Sequence, residues 1–181
     1  MVTKIPDSHL LALGSVTIEF GKLESILILS ISRLLWREVK GIEPITTLVG
    51  GDSFDVLLIK LNKIFIHKLH DDKLLKDFEL LSKRLSAINE KRNRYLHSWW
   101  TINEKEGLVR IKFKKKPDKN HLMVDRESFD TDEIIAFVEE IKKAEDDLAE
   151  LTEEIRDTYT TKLKEENAKI KKEIEDLKSE A

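Results

Sequence analysis

The chain contains no cysteine, which excludes a disulfide scaffold, Cys-ligated zinc and thiol catalysis. Only three prolines and six glycines interrupt its 181 residues, so long unbroken helices are expected. It also lacks a long hydrophobic run. The most apolar stretch, LESILILSISRLLW, is broken by Glu24, Ser25, Ser30, Ser32 and Arg33, and is too short to span a bilayer. The opening residues MVTKIPDSHL carry no apolar core of a secretory signal, and the expectation is a cytoplasmic protein with no membrane association. Charge of one sign is missing as well. A formal net charge of -3 argues against an indiscriminate polyanion binder, but a local basic patch stays open.

What is present is charge and helical periodicity. Charged residues make up 37% of the chain, the composition of a soluble, helix-rich domain long enough to bury a core. Pro6, Asp7 and Ser8 signal a helix start, and Gly41 with Pro44 a stop. Between them, roughly Ser8 to Lys40, Leu13, Val16, Phe20, Leu23, Leu27, Ile31 and Leu34 recur at spacings of three and four. Gly14 and Gly21 inside this helix each cost on the order of 1 kcal/mol, which close helix packing would offset; a local kink is the other reading. Asp52 or Ser53 caps a second helix, ending near Leu69. The HDDK turn then opens a third at about Asp72, with Leu74, Phe78, Leu81, Leu85 and Ile88 inward.

From Trp99 to Asp125 the period changes to two, most clearly in LVRIKFK, and a small hairpin or meander is expected there. Asp130 or Thr131 then caps a last helix running almost to the end of the sequence. Its stripe of Ile134, Val138, Ile141, Leu148, Leu151 and Ile155 thins beyond Tyr159 to Leu163, Ile170, Ile174 and Leu177 among Lys and Glu. A coiled-coil arm and a solvated single helix both fit that tail. The fold expected is all-α: an up-and-down bundle of about four long helices, a β insertion near 99–125 and a long C-terminal helix. A domain is expected over 1–158, followed by a charged helical extension over 159–181.

The chemistry sits in KRNRYLHSWW, residues 91–100. Continuing the stripe Leu81, Leu85, Ile88 by one step places Arg92 inward, where an unpaired charge costs several kcal/mol. A carboxylate, backbone carbonyls or an exchangeable anion must compensate it. Asn93 and His97 are four apart and share a neighbouring polar face. Arg92 and His97 are five apart and diverge by about 140° on an ideal helix. One site can use both only if the helix ends near Leu96 or a second copy completes it. Taken alone, the residues also fit a structural role, with Arg92 paired to a carboxylate of the last helix and His97 a polar cap.

The run Arg92, Asn93, then His97 resembles the signature of the HEPN superfamily, an arginine followed by four to six residues and a histidine, often with a polar residue after the arginine. The resemblance extends to the helical pattern over about residues 8–155. It implies a homodimer with the motif in a cleft between subunits, and in many members a metal-independent endoribonuclease. By that resemblance Arg92, Asn93 and His97 are catalytic. A histidine suits proton transfer at the ribose 2′-hydroxyl and the leaving 5′-oxygen, and a guanidinium suits the phosphate. No metal or other cofactor is implied. A toxin–antitoxin or antiviral-defence setting is, with a partner protein engaged through the C-terminal helix. Trp99 stands where HEPN toxins commonly carry a tyrosine.

Arg94, Arg110, Lys112, Lys114, Lys115 and Lys116 form a basic stretch next to the motif, expected to grip RNA phosphates. A solvated, lysine-protected sheet edge is its bland counterpart. Two alternatives to catalysis remain: a helical interaction module working through the C-terminal helix, and a HEPN domain that binds RNA or nucleotide without turnover.

Overall fold

A computed structural model of the chain describes residues 5–35, 47–68, 71–103, 105, 107–115 and 122–179. It is mostly helical: in chain order α1 (Asp7–Leu35), α2 (Phe54–Lys68) and α3 (Asp72–Leu96) precede one small antiparallel sheet, and α4 (Thr131–Ser179) follows it. The sheet is a meander of β1 (Trp99–Asn103), β2 (Gly107–Lys115) and β3 (Leu122–Phe129), with β2 central. The expected stop at Gly41 and Pro44 lies outside the described residues.

Helix starts follow from side-chain caps that occupy otherwise unbonded N–H groups. Ser53 Oγ accepts from Val56 N–H at 3.5 Å, and Asp71 Oδ1 accepts from Lys73 and Leu74 N–H at 2.9 and 3.2 Å. At the start of α4 the caps are reciprocal. Asp130 Oδ1 accepts from Asp132 N–H at 3.3 Å, while Glu133 Oε2 accepts from Asp130 N–H at 3.1 Å. α1 is continuous through both internal glycines, and a Cβ added at Gly14 or Gly21 would meet nothing within 4 Å. Close helix packing within the described residues therefore does not explain them.

The chain divides into two compact units. One takes Met1–Ile26 and Lys83–Asp146, hence the first part of α1, the end of α3, the sheet and the first part of α4. Its helices bury Val16, Phe20, Leu23, Leu85, Ile88, Ile134, Phe137 and Ile141. The other takes Leu27–Ser82 and Asp147–Ala181, and its core holds Leu27, Ile31, Leu57, Leu61, Phe65, Phe78, Leu148 and Ile155. There Phe65 and Phe78 stack at 3.8 Å, and a buried polar contact joins Thr152 Oγ1, as donor, to Ser30 Oγ at 2.9 Å. The boundaries of these units fall within α1, α3 and α4.

In the first unit, α3 meets the sheet through an aromatic cluster. Tyr95 lies 5.2 Å from both Phe129 and Phe137 and 6.0 Å from Trp100, and Trp100 meets Phe129 edge-on at 5.5 Å. Burial, and then the nearby Glu133 carboxylate, push the Tyr95 phenol up to about 12. The native state thus keeps a proton that the unfolded chain releases near the ordinary 10.0, so stability falls as pH rises from about 10 to about 12. We expect Tyr95→Ala to cost about 3–5 kcal/mol in urea unfolding, as aromatic truncations in cores do. Tyr95→Phe should keep the packing and remove the alkaline loss.

Candidate functional site at the end of α3

The end of α3 is closed by residues that follow it. His97 N–H donates to the Asn93 carbonyl at 3.1 Å, Ser98 Oγ to the Arg94 carbonyl at 2.7 Å, and Trp100 Nε1 to the Tyr95 carbonyl at 2.8 Å. Three of the last-turn carbonyls are thereby satisfied without a glycine. Trp100 serves both as cap and as core aromatic. Its neighbour Trp99 points to the other face of the sheet, 63% exposed and 6.4 Å from Phe113.

The inward register of Arg92 follows the stripe. Its guanidinium carbon lies 4.5 Å from the centre of the Phe20 ring on α1, a cation–π contact, and Nη1 donates to Asn93 Oδ1 at 2.9 Å. Among the described residues Arg92 forms no ion pair, and its buried Nε has no hydrogen-bond partner. The pairing with the last helix falls to its neighbour: Lys91 Nζ reaches Glu140 at 3.1 Å and lies 4.4 Å from the Phe137 ring centre. His97 is exposed, and its ring makes no hydrogen bond among the described residues. Its N–H still follows the helical pattern, so its side chain leaves on nearly the opposite side from Arg92. The structure thus joins Arg92 to Asn93, while His97, one helical turn beyond Asn93, leaves on the side away from Arg92.

The basic stretch is corrected in one respect. Arg110 is only 2% exposed, and it cannot reach an RNA phosphate from that position. Nη2 pairs with Asp125 at 3.1 Å and Glu127 at 3.0 Å, and Nη1 reaches Ser98 Oγ at 3.3 Å. Cross-strand register explains this, because Trp100, Arg110 and Glu127 stand directly opposite one another and so share one face. Arg94 is exposed but committed to Glu127 at 2.6 Å, a hydrogen bond that holds its pKa above the ordinary value. Lys112 is half-buried in β2. Lys114 and Lys115 belong to β2, but their side chains lie outside what the structure describes, and Lys116 lies wholly outside the described residues.

Clefts elsewhere among the described residues include one of about 440 Å³ lined by His9, Leu108, Phe129 and Glu133, and one of about 300 Å³ lined by Arg33, Lys68, Arg156 and Tyr159. Among the described residues no group of three or more His, Asp or Glu side chains could hold a metal ion, and no helix is long and apolar enough to cross a membrane. No protein-family model, no curated protein and no solved structure matches the chain.

The network of Arg94, Glu127, Arg110 and Asp125 was not foreseen; without strand register, alternation alone could not bring Arg110 onto two carboxylates 15 and 17 residues later. We expect Arg110→Ala to destabilise by about 3 kcal/mol in urea unfolding, because two carboxylates lose their buried cation. Arg94→Ala should cost less than about 1 kcal/mol, as an exposed pair does.

Proposed function

We propose that the protein is a metal-independent endoribonuclease of the HEPN type, acting through Arg92, Asn93 and His97 at a cleft shared by two copies of the chain. What carries the reading is Arg92: a half-buried cation with an unpartnered buried Nε and no carboxylate among the described residues. A charge in that setting calls for an anion, and a phosphodiester supplies both charge and acceptors. Asn93 Oδ1 holds the guanidinium in place. The HEPN-like spacing in a mostly helical fold supports the same reading, since α3 ends at Leu96 beside the motif.

The chemistry follows from the residue types. One imidazole takes the proton of a ribose 2′-hydroxyl as that oxygen attacks phosphorus, and the guanidinium stabilises the charge developing on the phosphate. The phosphorus–5′-oxygen bond breaks, and a second imidazole delivers a proton to the leaving oxygen. The products are a 2′,3′-cyclic phosphate and a 5′-hydroxyl end. Although α3 ends at Leu96, His97 N–H still bonds to the Asn93 carbonyl and its side chain diverges from Arg92, so in this reading His97 of the partner subunit completes the site. The toxin–antitoxin or antiviral setting comes from the resemblance alone.

Purified Arg92→Ala and His97→Ala proteins, folded by circular dichroism, should each lose RNA cleavage by at least about a hundredfold in chelator-treated buffer. Cleavage at the unmodified rate by both variants would overturn the assignment. A second reading, a helical interaction module, draws on the exposed Ile170, Ile174 and Leu177 of α4. Under it, deleting residues 160–181 abolishes function, whereas His97→Ala has no effect.

A further inference from the structure

α4 leaves its core partway along its length. Ile155 is fully buried, but Ile170, Ile174 and Leu177 are 53%, 47% and 67% exposed, and Asn167 is exposed between them. From Thr160 onward the sequence falls into heptads. Thr160, Asn167 and Ile174 take one seam position, and Leu163, Ile170 and Leu177 the other, alternating by three and four. The flanks are sorted by sign. Lys164 and Lys171 follow directly after the Leu163 and Ile170 seam residues, and Glu166 and Glu173 directly precede the Asn167 and Ile174 ones. The sequence repeats both choices at Lys178 and Glu180.

We propose that residues 160–179 form a parallel, in-register, two-stranded coiled coil with a second copy of this chain. The flanking charges select this occupant. In a parallel pair each Glu166 meets Lys171 of the partner subunit, and the sequence repeats the same spacing of charges one heptad on. An antiparallel pair of identical helices would set Glu against Glu and Lys against Lys. Asn167 specifies register: aligned parallel chains bring the two asparagines opposite each other, where their amides bond, whereas a shifted or reversed alignment buries one against an isoleucine or leucine. A β-branched residue at Ile174, with leucines at two of the three opposite seam positions, favours two strands over three. A helix stabilised only by its own charge pairs needs neither the apolar seam nor the separation of lysines from glutamates onto its two flanks. The proposal rests on the arm alone and stands or falls independently of ribonuclease activity.

The test uses the full chain and sedimentation equilibrium. The unmodified protein should be dimeric at high micromolar concentration. Lys164→Glu with Lys171→Glu makes both flanks acidic, and Glu166→Lys with Glu173→Lys makes both basic. Each double variant alone should self-associate roughly tenfold more weakly or worse, and an equimolar mixture should recover a one-to-one dimer. Orientation has a direct readout because the chain lacks cysteine. Asn167→Cys should yield a covalent dimer on oxidation, and Lys169→Cys, off the seam, should not. A monomeric unmodified chain would overturn the proposal. So would charge variants that pair as well as the unmodified protein, or cross-linking no greater at position 167 than at 169.

Discussion

The hydrogen bond from the Trp100 indole to the Tyr95 carbonyl decides where α3 ends, and much of the first unit follows from that end. A helix that loses its last-turn carbonyls to water frays; here an indole, a hydroxyl and a backbone N–H satisfy three of them. The same indole stacks on Tyr95 and meets Phe129 of β3, so the cap and the packing of sheet on helix are one device. Closing the helix there fixes the entry into β1, and with it the register that sets Arg110 opposite Glu127. It also leaves His97 one residue past the helix with nothing to hold its ring.

Two inward-facing arginines of this unit, Arg110 and Arg92, show what burial of charge demands. Arg110 is enclosed by Asp125, Glu127 and Ser98, and its guanidinium is compensated several times over. Arg92 rests on an aromatic face and a single amide oxygen. A ring quadrupole is worth about 0.5–2 kcal/mol to a cation, well short of the several kcal/mol that desolvating one costs. Arg110 is thereby explained as architecture. Arg92 is not, and its imbalance is what an anion-binding role would put to use.

Legibility in the sequence tracked the range of the interaction. Caps at Ser53, Asp71 and Asp130 involve partners two or three residues away, and local reading located all of them to within a residue. The stripe through Leu81, Leu85 and Ile88 placed Arg92 inward correctly, because helical period carries over from one turn to the next. Arg110 is the counter-case. Alternation assigned it to a face, but whether that face is wet depends on which strands lie beside it. Phe20 as the platform under Arg92 lies 72 residues away in sequence, and no local pattern selects it from the other apolar residues of α1.

Divergence of Arg92 and His97 on one helix and the charge-sorted arm on another are separate observations, and each of the two proposals built on them invokes a second copy of the chain. A site that needs residues from two subunits would ordinarily demand an extensive interface around it. A coiled-coil tether relaxes that demand, because linking two chains turns the second encounter into an intramolecular one at high effective concentration. The arm adds no chemical group to the site. It would instead raise the occupancy of the two-copy state, so that a weak contact between domains suffices to assemble arginine from one chain and histidine from the other.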